Sequence, residues 1–247
     1  GRYCGDFGLT TPSGDCEAGY FCSLQAEVPN PGYDGTDPSY GDECPPGSFC
    51  PDGTGTPQLC PVGTYNPSTR APDSSYCLSC PPGMFCATQG LSTPTGECLE
   101  GFFCVGKAVS PNPSDGLTGN ICPQGSYCGN GTAVPLTCPP GRYGPTTGMP
   151  QCAACPAGSV CDGTTPTTAP LCPVGYYCPG GTGVRTPACP PGTYGPGQGL
   201  ATEAECTDCD GGKYCFTHGL SAPTADCDAG YVCERASIDP FGRVSNE

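Results

Sequence analysis

Three pairs of cysteines stand two residues apart, Cys77/Cys80, Cys152/Cys155 and Cys206/Cys209. This spacing serves zinc sites and redox dithiols. Zinc needs four ligands, normally in a reduced compartment. Each of these pairs instead follows a C-P-x-G-x-Y stretch within one repeating pattern. Structural cystine is therefore the expectation, with no metal site. The only histidine, His218, is the one imidazole base available for Ser- or Cys-type catalysis, and no motif supplies it with partners. Phosphate loops, dinucleotide fingerprints and zincin sequences do not occur. No catalytic residue is assigned. Glu203, Glu205, Asp208 and Asp210 offer carboxylates for calcium. Calcium takes about six to eight oxygens from a defined loop, and no EF-hand loop is present. The remaining chemistry is glycan acceptance. Asn130-Gly131-Thr132 is an N-glycosylation sequence, and Thr164, Thr165, Thr167 and Thr168 flank Pro166 in a cluster suited to O-glycans. Asn66-Pro67-Ser68 is blocked by its proline. Covalent glycans apart, no cofactor is expected.

Composition shows why cross-links matter. The 247 residues include 25 Cys, 40 Gly and 33 Pro. Leu, Ile, Val and Phe together make up about one residue in eight, too few for one large apolar core. Cystines must supply what burial cannot. The cysteine density points to an oxidising environment, extracellular or at a cell surface. The net charge of −15 disfavours nucleic acid, whose phosphates need Lys and Arg. No run of apolar residues is long enough to span a membrane.

One motif dominates: Cys, two residues, Gly, one residue, then usually an aromatic. Its twelve complete copies open at Cys16, Cys44, Cys60, Cys80, Cys98, Cys122, Cys138, Cys155, Cys172, Cys189, Cys209 and Cys227. In nine a second Cys follows the aromatic position; at Cys60, Cys138 and Cys189 it is missing. The glycine is expected at positive φ, reversing the chain. Phe49, Phe85, Phe103, Tyr127, Tyr177 and Tyr214 are expected to form small local cores over the disulfides. A longer period shares C-x3-G-L-[ST]-x-P-[ST]-x-[DE]-C at Cys4, Cys86 and Cys215. It divides the chain into a truncated unit at 1–76, a full unit at 77–151, a shortened unit at 152–205 and a truncated unit at 206–247. Gly1 aligns with Gly83, three residues after Cys80, so a cysteine is expected three places before Gly1 in a longer parent chain.

The architecture expected is small and disulfide-rich: tandem cysteine-rich repeats with short β-hairpins and turns, an elongated rod with almost no helix. Spacing alone does not fix connectivity. The working expectation has Cys60–Cys77, Cys138–Cys152 and Cys189–Cys206 closing loops, and Cys44–Cys50 and Cys122–Cys128 closing on themselves. The four-cysteine sets pair one-to-three and two-to-four: Cys80–Cys98 with Cys86–Cys104, Cys155–Cys172 with Cys161–Cys178, and Cys209–Cys227 with Cys215–Cys233. Cys4 takes Cys22, leaving Cys16 unpaired.

The C-P-x-G-x-[YF] motif with its C-x2-C links resembles the ephrin-receptor-like cysteine-rich repeats, over nearly the whole chain. More remotely it is similar to tumour-necrosis-factor-receptor and growth-factor-like modules. The resemblance implies membership of long tandem arrays like those in giant extracellular proteins of algae and other single-celled eukaryotes, including flagellar hairs (mastigonemes) and surface coats. The abundant C-x5-C pairs and the G-L-S-T-P inserts depart from the receptor pattern, and no ligand-contact residue carries over. The function expected is a structural extracellular glycoprotein forming part of a filament or surface coat, not an enzyme. Its partners are copies of itself or neighbouring repeats of a longer parent. The alternative is a ligand-binding or adhesion ectodomain.

Overall fold

The computed structural model describes residues 1–32, 40–163 and 166–244. Each motif begins with a β-turn. In all twelve, the amide after the glycine donates to the carbonyl just after the opening cysteine, as in Thr64 to Pro61 and Ser48 to Pro45. The glycine is the third turn residue, and φ at the twelve runs from 77° at Gly125 to 94° at Gly230. That is a type II turn, which demands positive φ at this position and favours proline just before it. Pro46, Pro82, Pro140 and Pro191 occupy that preceding position.

The turn brings the two cysteines of a C-x5-C motif together. In Cys80–Cys86 the Cα atoms lie 5.9 Å apart, inside the range a disulfide spans. The same short ring closes Cys16–Cys22, Cys44–Cys50, Cys98–Cys104, Cys155–Cys161, Cys172–Cys178, Cys209–Cys215 and Cys227–Cys233. Where the closing cysteine is missing, the opening one reaches the next C-x2-C pair, giving Cys60–Cys77, Cys138–Cys152 and Cys189–Cys206. Cys122 and Cys128 are also disulfide-bonded, and Cys4 is an exposed free thiol. The one-to-three and two-to-four pairings Cys80–Cys98, Cys86–Cys104, Cys155–Cys172, Cys161–Cys178, Cys209–Cys227 and Cys215–Cys233 are thus corrected, because each turn already places its own two cysteines at bonding distance. Cys4–Cys22 is corrected for the same reason: Cys22 pairs with Cys16, and the unpaired residue is Cys4 rather than Cys16.

The chain divides into two compact units, Gly1–Ile121 with Cys128–Pro135, and Cys122–Tyr127 with Leu136–Glu247. Regular structure in both consists of two-stranded antiparallel pairs. The first unit pairs Arg2–Tyr3 with Gly14–Asp15, Tyr20–Cys22 with Gly41–Glu43, and Ser48–Phe49 with Gln58–Leu59. It continues with Thr64–Tyr65 on Leu78–Ser79, Met84–Phe85 on Gly96–Glu97, and Phe102–Cys104 on Gly119–Ile121. The second pairs Ser126–Tyr127 with Leu136–Thr137 and Arg142–Tyr143 with Ala153–Ala154. Its last two pairs are Thr193–Tyr194 with Thr207–Asp208 and Lys213–Tyr214 with Ala225–Asp226. The described helical content is two 3-10 turns, Ser74–Tyr76 and Glu203–Glu205.

The buried interior consists mainly of sulfur. Most bonded cysteines are fully buried, whereas Phe49, Phe85, Phe103, Tyr127, Tyr177 and Tyr214 are only half-buried. The aromatics cap cystines rather than form cores. Tyr3 packs on the cluster of Cys16, Tyr20, Cys22 and Ala26, and Phe85 on Cys98, Cys104 and Ala108. In both cases the aromatic of one motif covers the cystine of the next.

Candidate functional site

The repeated feature that links sequence to function is the contact between successive motifs. In the first unit, the Gly63 amide donates to Cys86 O, and the Cys80 amide donates back to Gly63 O. The Asn66 amide reaches Leu91 O, and the Gly90 amide returns to Cys60 O. These four bonds recur with the same roles. Gly19, Gly47 and Gly83 donate to Cys50, Asn66 and Cys104, and Cys44, Cys60 and Cys98 donate back to the glycine carbonyls. The second unit follows the same rule: Gly158, Gly175, Gly192 and Gly212 donate to Cys178, Gly195, Cys215 and Cys233. Ten of the twelve turn glycines are thus held at both amide and carbonyl by the next motif, which satisfies backbone that has no core to hide in.

The bond returning to the opening cysteine comes from a residue with left-handed backbone. Glycine fills this place at Gly53, Gly90, Gly131, Gly148, Gly181, Gly199 and Gly219, all at positive φ. Arg70, Lys107 and Ala236 fill it elsewhere, with φ of 57°, 55° and 64°. Together with Gln25 they are the positive-φ residues other than glycine among those described. Left-handed backbone costs a residue with a Cβ about 1–2 kcal/mol. Lys107→Gly is therefore expected to raise stability by about 1 kcal/mol, read as a higher urea midpoint at unchanged slope. Lys107 suits the test because Arg70 also pairs with Glu43 and lies over the Tyr20 ring.

The carbonyl of this left-handed residue packs against the turn glycine two motifs earlier. A Cβ on Gly47 would lie 2.1 Å from Gly90 O, on Gly83 2.4 Å from Gly131 O, and on Gly175 2.2 Å from Gly219 O. Glycine is therefore required twice, by its φ and by lack of space.

Asn66 replaces a closing cysteine. It is 1 % exposed, its Nδ2 donates to Ser48 O at 2.9 Å, and its Oδ1 accepts from the Ser68 amide at 3.0 Å. A hydrogen-bonded amide thus ties this motif to its neighbour where sulfur is absent. The sequence signal for this role is Asn66 standing at the aligned closing-cysteine position, six residues after Cys60.

Asn130 is exposed, and its Oδ1 accepts the Glu100 amide at 2.9 Å. Asp52, at the matching place two residues past a closing cysteine, accepts the Ala18 amide at 2.8 Å. Thr132 Oγ donates to Gly129 O. The Asn130 side chain therefore has a structural role apart from any glycan. Asn130→Asp is expected to keep the folded stability while abolishing any N-glycan. Asn130→Ala should lose about 1 kcal/mol. Mass before and after glycosidase treatment, with thermal unfolding of both variants, separates the two effects. Thr167 and Thr168 are exposed, while Thr164 and Thr165 lie outside the described residues.

The four carboxylates considered for calcium are not gathered. Tyr177 OH donates to Glu203 Oε2 at 3.0 Å, and this hydrogen bond raises the Tyr177 pKa. Glu205 accepts the Ala201 amide, and Tyr194 OH contacts Asp210. Among the described residues no group of three or more His, Cys, Asp or Glu is placed to hold a metal ion. His218 is exposed. Lys213 and Asp226 pair across their hairpin at 2.7 Å. Their hydrogen bond raises the lysine pKa and lowers that of the aspartate. Arg2 and Asp15 make the corresponding pair at 3.0 Å. An open recess of about 660 Å3 lies beside Cys4, lined in part by Arg2, Leu24 and Gln25.

No family model matches the chain, and no curated protein matches it with significant similarity. No helix among the described residues is long and apolar enough to cross a membrane. The dense disulfides mark a module for an oxidising, extracellular setting.

Proposed function

We propose that the chain is a non-catalytic structural element of an extracellular filament or surface coat. The observation behind this reading is the recurrence of one four-bond contact from motif to motif, with a disulfide closing each turn or its adjoining loop. A protein built this way spends its residues on making every step alike. Pulling on it must break several backbone bonds per step, and the cystines limit how far each released segment can extend. The acidic surface keeps such a protein soluble. The resemblance to ephrin-receptor-like repeats of algal and protist surface proteins fits this reading, and flagellar-hair material is the specific form we favour. Glycans at Asn130 and the threonine cluster would shield exposed backbone.

A second reading, as a ligand-binding or adhesion ectodomain, draws on exposed apolar side chains such as Phe7, 98 % exposed. Electron microscopy of native, unreduced material decides between the two, with gel mass before and after reduction. Regular filaments support the structural reading. Dispersed particles that bind a soluble partner one-to-one would replace it.

A further inference from the structure

Eight residues, Lys and Arg together, carry the positive charge of this acidic chain, and seven of them sit on backbone that is held. Arg2, Arg142 and Lys213 lie in strand pairs. Arg70 and Lys107 donate their amides to Cys44 O and Cys80 O and have left-handed backbone. The amide after Arg235, that of Ala236, donates to Cys209 O, and Arg243 O accepts from the Ile238 amide. Arg185 is the exception. Gly183, Val184, Arg185 and Thr186 make no hydrogen bond among the described residues. The run is anchored at its ends, where Thr182 O accepts the Cys161 amide and Pro187 O accepts the Tyr177 amide. Arg185 is exposed and forms no ion pair among the described residues, and Val184 is 72 % exposed.

The run is also longer than its counterparts. The linkers after Thr54 and Thr132 read Gly-Thr-Pro-Gln-Leu-Cys and Ala-Val-Pro-Leu-Thr-Cys, whereas the linker after Thr182 reads Gly-Val-Arg-Thr-Pro-Ala-Cys. One extra residue is present, and the arginine lies in that lengthened stretch. The hairpin this linker enters is short. Ser48–Phe49 and Ser126–Tyr127 each form a two-residue pair with the strand after their linker, but Tyr176 meets Ala188 in a single bridge. No ring of sulfur holds the two sides of Arg185 together, because Cys172–Cys178 closes before it and Cys189–Cys206 begins after it. Arg70 and Arg142, by contrast, lie inside the Cys60–Cys77 and Cys138–Cys152 rings.

We infer that the Arg185–Thr186 bond is a cleavage site for an arginine-directed serine protease of the trypsin class. Such an enzyme seats the arginine in an acid-floored pocket and pairs with the main chain of its substrate as with an added strand. Free N–H and C=O groups on both sides of an exposed arginine meet both needs, and exposed loops of small and polar residues are where nicking concentrates. In the net step the hydroxyl of water joins the Arg185 carbonyl carbon, the C–N bond breaks, and Thr186 leaves with the proton as a new amino terminus. The two sides then keep no covalent link. They keep the contact between motifs, in which the Gly175, Cys189 and Cys178 amides bond the Gly195, Gly175 and Leu200 carbonyls. The inference does not depend on the filament reading; in a filament it marks the step that a protease opens.

Limited digestion of the native, unreduced full chain with trypsin tests it, read by intact mass in urea without reductant. The expected first event is a single cut after Arg185, about tenfold faster than at any other basic residue, because each of those must first break a main-chain hydrogen bond. The two pieces should part in urea with every disulfide still closed. Arg185→Gln should abolish this event and leave thermal unfolding unchanged, since the side chain is exposed and unpaired. Arg185→Lys should keep it, and should open the same bond to a lysine-directed protease that leaves the parent uncut there. First cuts at Lys107 or Arg235 in the parent overturn the inference, as does a native chain that resists trypsin while the reduced chain is cut throughout. Pieces that part only on reduction would put a disulfide across the cut and overturn the release.

Discussion

Gly47→Ala is expected to destabilise the chain by about 3–5 kcal/mol, an exceptional cost for one methyl group. Two independent penalties combine. Left-handed backbone at φ 83° costs an alanine about 1–2 kcal/mol. The new Cβ would then lie 2.1 Å from the Gly90 carbonyl oxygen, which is backbone and cannot rotate away. Gly90 is itself anchored to Cys60 through its amide, so relief must break that bond. Gly116→Ala isolates the first penalty, since Gly116 shares positive φ but meets nothing within 4 Å. Urea unfolding followed by tyrosine fluorescence measures both variants. Damage should stay local, because repeats of this kind lean mainly on their neighbours. Hydrogen exchange should quicken at the Cys60 and Gly90 amides before it quickens near Gly175. Equal losses in Gly47→Ala and Gly116→Ala would show that close packing of turn glycine on carbonyl contributes nothing.

Full reduction should unfold both units. Closing a ring of six residues removes about 2 kcal/mol of unfolded-state entropy, and rings the size of Cys60–Cys77 or Cys138–Cys152 about 3 kcal/mol each. Summed over the chain, this exceeds the roughly 5–15 kcal/mol by which ordinary domains are stable, and the buried clusters are themselves largely cystine. Amide dispersion in NMR spectra should collapse on reduction and return only on reoxidation. A dispersed spectrum from the fully reduced chain would mean that the hydrogen-bonded contact is sufficient without sulfur. The same material tests connectivity. With Cys80–Cys86 and Cys98–Cys104 each closing its own turn, cleavage between Cys86 and Cys98 separates the two motifs without reduction. Fragments that remain joined would restore the crossed pairing.

The motif, its turn and its glycine were legible in the sequence because they depend on interactions three residues apart. Cys-x2-Gly fixes where a type II turn must sit, and the cysteine density fixes that disulfides rather than apolar groups form the interior. The adjacent pairing was also within reach. Only at Cys60, Cys138 and Cys189, where no closing cysteine exists, does the opening cysteine look further along the chain. Spacing alone permits both schemes; the turn geometry selects one. Tertiary structure alone decided the rest. The partners of Gly47 are Asn66, Cys60 and Gly90, and linkers of unequal length bring them together. No constant period marks Arg70, Lys107 and Ala236 as equivalents of glycine, or Asn66 as a stand-in for cysteine. Their roles follow from backbone groups that must find partners across successive motifs, and such partners are set by position in space, which residue type does not encode.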